Sequence, residues 1–163
     1  MSSAPPSSDA HGRIVRLEVA QDENIAIPAE RQHEQTVAIY DLLDENLFEL
    51  NEHKGPYHLY LKTDYRHVYF DVRDDSDAQL GGFMMALGPF RRIIREYHII
   101  CTSYYDAIRT KSPSQIQAID MGRRGLHNEG ASLLEERLAH YVRIDEQTSR
   151  RLFTLIFVMT QKG

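Results

Sequence analysis

The sequence is nearly without cysteine. Cys101 is the only one in 163 residues, so an internal disulfide and a multi-cysteine zinc site are excluded. Such usage fits a reducing compartment. Long hydrophobic runs are also missing. The longest apolar patch, Leu152 to Met159, is far too short to span a bilayer. Residues 1–12 lack the basic start and apolar core of a signal peptide, and they read as a disordered tail. A cytoplasmic protein with no membrane contact is the expectation. Several motifs are absent too: the phosphate-binding glycine loop, GxGxxG after a strand, the zincin helix and the serine nucleophile elbow. There is no internal repeat and no dividing linker, so residues 13–163 read as a single domain, large enough for a real core.

What is present is an ordinary globular composition, 42% hydrophobic and 26% charged. The net charge of −5 is unevenly spread. Residues 1–87 hold 7 Lys+Arg against 16 Asp+Glu, and residues 88–163 hold 12 against 8, for −9 and +4. The halves can attract each other within the fold or between copies. The basic half is too weakly basic for general nucleic-acid binding.

Arg13 to Val19 alternates and reads as a first strand. Ile25 to Pro28 is an extended entry, because the residue before proline avoids the helical region. Pro28 then opens a helix to about Asp44 with Ile39, Tyr40, Leu42 and Leu43 buried and an acidic outer face. Leu47 to Leu50 can begin a strand. Tyr57 to Lys62 and His67 to Arg73 alternate around a turn as an antiparallel hairpin, and Gln79 to Leu87 is a further strand. His58 and His67 could meet across that hairpin, but two surface histidines make a poor metal site. After Gly88-Pro89, Phe90, Ile93, Ile94, Tyr97, Cys101, Tyr104, Tyr105 and Ile108 form the strongest amphipathic stripe in the chain. The expected fold is α+β: an antiparallel sheet of about four to five strands, an early helix and a C-terminal helical layer. The last helix, capped by Asp145, is apolar most of the way round. It is either central to the core or paired with another chain.

The densest polar stretch is Ser112 to Arg137. Ser112, Pro113 and Gln115 specify a helix start with a capping box. At about 100° per residue, Asp120, Arg123, Arg124 and His127 share a face, with Asp120 four residues before Arg124 in the favourable order. Gly122, Gly125 and Gly130 either admit a neighbouring helix or break this one between Gly125 and Asn128. A break would give the outline of a helix-turn-helix. Glu129, Glu135 and Glu136 make its second helix too acidic to face phosphates. Arg91, Arg92 and Arg95 stand in the first turns of the preceding helix, against the helix dipole. Two readings stand side by side: a structural polar network, or a site for an anion or partner built from Asp120, Arg123, Arg124, His127 and Asn128 with Arg91 and Arg92.

At Ala118-Ile-Asp-Met-Gly-Arg-Arg-Gly-Leu-His-Asn-Glu-Gly130 the sequence resembles the UPF0262 family, small uncharacterised proteins mainly of alphaproteobacteria. Further matching pieces are Ala38 to Leu43, Gly55-Pro-Tyr57, Tyr69 to Arg73, Pro89 to Arg92, Ser103-Tyr-Tyr105, Ser112 to Gln115 and Arg150 to Thr154. The resemblance covers roughly residues 13–163. It implies no assigned activity, cofactor or catalytic residue.

The function expected from all this is a non-enzymatic regulatory or adaptor domain without a cofactor or metal. It would self-associate or bind a protein through its last helix and its arginine-rich faces. The alternative is a small-molecule enzyme or phosphate-ester binder using the Asp120, Arg123, Arg124 and His127 cluster on an anionic ligand. Nucleic acid is disfavoured.

Overall fold

The computed structural model describes residues 11–20, 29–64 and 66–161. The expected tail at residues 1–10 and the Ile25 to Pro28 entry lie outside them. In chain order the elements are β1 (Ile14–Val19), α1 (Ala29–Asp44), β2 (Phe48–Leu50), β3 (Tyr57–Thr63), β4 (His67–Arg73) and β5 (Gln79–Ala86). A 3-10 turn (Gly88–Phe90) then leads to α2 (Arg91–Thr110), α3 (Pro113–Leu138), β6 (Val142–Ile144) and α4 (Glu146–Thr160). The fold is α+β.

The main sheet has the order β1-β3-β4-β5. The alternation seen in sequence fixes its register. Leu59 lies opposite Val72, Leu61 opposite Phe70 and Phe70 opposite Phe83, so these apolar side chains share one face. The sheet is mixed rather than wholly antiparallel, because β1 pairs with β3 in parallel. Parallel neighbours need a long crossover, and α1 with β2 supplies it. His58 stands opposite Arg73, so it does not meet His67 across the hairpin.

His11 and Gly12, expected in the tail, form a turn joined to the body: Gly55 donates to the His11 carbonyl and Phe48 to the Gly12 carbonyl. A second, two-stranded sheet pairs β2 with β6, a strand that the sequence pattern leaves unassigned between two helical segments. Asn46 ties β1 to α1. Its amide accepts from the Ile14 N–H at 2.8 Å and donates to the Ile14 and Leu42 carbonyls at 3.0 and 2.9 Å, all buried.

The last helix lies in the core and is not an outer interface. Asp145 caps it by accepting from the Thr148 N–H at 2.8 Å. Leu152, Phe153, Leu155 and Ile156 are almost wholly enclosed, each contributing about 1.5–3 kcal/mol by leaving water. An apolar circumference is what a helix with neighbours on every side requires. The early helix is less buried than its pattern implied: Ala38 and Leu42 face the core, whereas Tyr40 is 72% exposed.

Candidate functional site

The polar stretch folds as one unbroken helix, α3, so the break considered between Gly125 and Asn128 does not occur. Both halves of the capping box form, with Ser112 accepting from the Gln115 N–H and Gln115 from the Ser112 N–H. Two glycines serve close approach. A Cβ on Gly122 would lie 2.8 Å from Ile100 Cδ1, and one on Gly130 would strike the Phe153 ring. Gly125 faces open space.

Asp120, Arg123 and Arg124 come together as the shared face requires. Asp120 Oδ1 accepts from Arg123 Nε and Nη2 at 3.0 and 2.5 Å, and Oδ2 pairs with Arg124 Nη2 at 3.0 Å. The Arg123 bond, with both guanidinium charges, holds the Asp120 carboxyl below its ordinary range. Arg123 also lies over the Tyr104 ring, 4.8 Å from its centre. Burial opposes its charge, but Asp120 and Tyr97 outweigh that, and its pKa is raised.

His127 is one turn further on and turns inward. Its Nε2 is 2.8 Å from Thr154 Oγ1 on α4. The rings of Tyr97 and Phe153 flank it, with centres 5.5 and 5.3 Å away. Burial first, then the charges of Arg150 and Arg123, depress its pKa to about 4. It is therefore a neutral imidazole at neutral pH, bonded to Thr154 rather than to Asp120. Arg92 binds Glu96 at 2.6 Å and reaches across to Glu129 on α3. Arg91 is exposed at the start of α2. Asn128 borders a separate 430 Å³ cleft with Ser132, Glu135, Glu146 and Arg150. The seven sequence-derived residues thus fall into a carboxylate-centred triad, a half-buried histidine, an interhelical ion pair and two exposed positions.

Cys101 is half-buried, and burial raises its thiol pKa. It is not a poised nucleophile. Among the described residues no group of three or more His, Cys, Asp or Glu side chains is arranged to hold a metal ion. Nor, among the described residues, is any helix long and apolar enough to cross a membrane.

A second polar cluster escaped the sequence reading. On the outer face of the sheet the Tyr60 hydroxyl donates to Asp77 Oδ1 at 2.6 Å. Arg73 binds Asp71 at 2.8 Å and Asp77 at 2.9 Å and lies 4.4 Å over the Tyr60 ring. Tyr60, Asp71 and Arg73 are outward members of the same alternation that marked Leu59, Leu61, Phe70 and Val72, and Asp77 comes from the following turn. The signal was present in the positions between the apolar ones. These groups bind one another and pin the turn between β4 and β5, where Asp77 adopts a φ of 67°.

The sequence profile of the uncharacterised protein family UPF0262 matches residues 11–162. The chain belongs to the UPF0262 family. A UPF0262 protein of Bradyrhizobium sp. (strain BTAi1 / ATCC BAA-1182) is 45% identical over 165 residues, covering 100% of this chain and 98% of the relative. One of Nitrobacter hamburgensis is 45% identical over 164 residues, with 100% of both chains covered. One of Rhodospirillum rubrum is 50% identical over 134 residues, 82% of this chain and 83% of the relative. No solved structure matches. Family membership brings no assigned activity, so function is argued from the side chains alone.

Proposed function

We propose that the protein is a non-enzymatic interaction domain that docks a protein on the outer surface of its helical layer. One observation carries this reading: the amphipathic stripe of α2 runs on past its own core. Ile93 and Tyr97 are buried, but further along the same helix Tyr105 is 63% exposed and Ile108 51%. A stripe this regular normally ends where its cover ends, and exposed apolar surface of this kind marks a contact region.

The competing reading, an anion or phosphate-ester site, draws on Arg124, whose side chain is 69% exposed beside Asp120. It is weakened because the carboxylate of Asp120 already serves both arginines, and because His127 is neutral and bonded to Thr154. The regulatory or adaptor role follows from the interaction reading and belongs with it.

Native mass spectrometry of the protein isolated gently from its host separates the two. The interaction reading expects a protein assembly that dissociates in Tyr105→Glu while the fold persists. A retained anionic metabolite that disappears in Arg124→Ala, on a chain otherwise alone, would overturn it.

A further inference from the structure

The seam between α3 and α4 is built from small residues, and charged ones stand along its open side. Gly130 lies under Phe153, Ala131 and Ser149 are buried, and the Ser149 hydroxyl donates to the Ala131 carbonyl. Helices joined through such residues approach closely, and longer side chains beside the contact border a groove. The 430 Å³ cleft has Ala131 and Ser149 as its floor and Asn128, Ser132, Glu135, Glu146 and Arg150 around it. On α3, Asn128, Ser132 and Glu135 recur at i, i+4 and i+7, so they share one flank. Gly122 and Glu129, which meet α2, point about 100° away from that flank. The cleft is therefore separate from the exposed end of the α2 stripe.

Three charged groups border the cleft, and none is matched within the chain. Among the described residues no ion pair engages Glu135, Glu146 or Arg150. Nor does any hydrogen bond among them engage the Arg150 guanidinium, although the residue is half-buried. Glu146 precedes Arg150 by four residues, the order that favours an ion pair along one helix, yet the two stand apart. The helix dipole accounts for Glu146 in the first turn of α4 but not for Arg150 or Glu135. The cross-links fix the levels. Ser149 meets Ala131 and Thr154 meets His127, so α3 and α4 run oppositely. Glu146 then lies towards Glu135, and Arg150 lies towards Asn128. The acidic and basic ends of the cleft are about 6 Å apart along the helix, one turn at about 1.5 Å per residue.

We infer that this cleft binds an amino acid with a basic side chain, its carboxylate on Arg150 and its side-chain cation between Glu135 and Glu146. The inference goes beyond the interaction reading: it gives the domain a small-molecule site that does not depend on what docks at α2. One guanidinium and two carboxylates leave the cleft with one negative charge in excess, which a ligand of net charge +1 neutralises. Arg150 can take a carboxylate through two parallel bonds. The Asn128 side-chain carbonyl and the Ser132 hydroxyl supply acceptors for the α-ammonium. Lysine, with a flexible four-carbon stem between its charged ends, spans the interval from Arg150 to the two glutamates. A simple anion would meet two carboxylates here, and a simple amine would leave Arg150 unmatched. Charge therefore selects a ligand that carries both groups.

The test is calorimetric titration of the full chain with L-lysine, L-arginine, norleucine and the diamine cadaverine, with amide NMR to place the site. Norleucine lacks the side-chain ammonium and cadaverine lacks the carboxylate. At least one of the two basic amino acids is expected to bind one to one, with shifts concentrated at residues 128–135 and 146–150. Norleucine and cadaverine are each expected to bind about tenfold more weakly or worse. Arg150→Gln should abolish the preference for the basic amino acid over cadaverine, and Glu135→Gln should weaken both. Glu135 is exposed, so its variant is expected to unfold at the wild-type temperature. Should Arg150→Gln disturb folding, Glu135→Gln and the analogue series decide the matter. The inference is overturned if neither basic amino acid binds at millimolar concentration. It is equally overturned if norleucine or cadaverine binds as well as they do, if Glu135→Gln leaves their affinity unchanged, or if the shifts fall outside the cleft.

Discussion

Three glycines on one helix make a sharp prediction, because the same substitution should act with different signs. Gly125 is helical, has no positive φ, and a Cβ there would meet nothing within 4 Å. Gly125→Ala should stabilise by about 0.5–1 kcal/mol, the gain in helix preference and unfolded-chain entropy. Gly130 has the same backbone but stands under Phe153, where three ring atoms occupy the space of a Cβ. Phe153 is fully buried and cannot swing away. Overpacking of that kind costs about 1–3 kcal/mol, which exceeds the helix gain of about 1 kcal/mol. Gly130→Ala should therefore destabilise. Gly122 is intermediate, since its obstacle is Ile100 Cδ1, the far end of a flexible side chain. Its substitution should be close to neutral. In a chain of this size about 1 kcal/mol corresponds to roughly 2–4 °C in Tm. Thermal and urea unfolding of the three variants is the assay. The packing of α3 against α4 would be refuted if Gly130→Ala matched or exceeded Gly125→Ala in stability.

Two further outcomes follow from buried polar groups. Asn46→Ala should cost about 1–3 kcal/mol, because it strands the buried Ile14 N–H and carbonyl, and urea unfolding with an unchanged m-value would register it. His127 has a folded pKa of about 4 against an ordinary 6.5. Below 6.5 the unfolded chain takes up a proton that the folded chain refuses, so stability is full above that value and declines as pH falls towards 4. His127→Gln should flatten this part of the pH–stability profile, and an unaltered slope would show that another group causes it.

Much of the fold was legible because local patterns and the final packing agree. Leu59, Leu61, Val68, Phe70 and Val72 alternate and all face inward, and Ser112 to Gln115 carries its helix start in four residues. The parallel pairing of β1 was not legible, since it depends on where α1 carries the chain and on the lock that Asn46 provides. Nor was the short β6, whose three residues give too little periodicity to stand apart from a helix end. At the candidate site, helical spacing brought Asp120, Arg123 and Arg124 together correctly. It also set His127 on that face, whereas the ring bonds Thr154, 27 residues away in sequence. The α2 stripe leaves Tyr104 and Tyr105 open between core and interface. Whether a given turn of it is covered depends on neighbours distant in the chain, and at Tyr105 and Ile108 the cover stops.

The most direct test of the interaction reading is a photo-crosslinking amino acid at position 105, activated in the host cell, with the adducts identified by mass spectrometry. The account predicts a protein adduct at 105 and none from the same label at Met84, on the outer face of the sheet. Adducts at 84 with none at 105, or no protein adduct at either position, would contradict it.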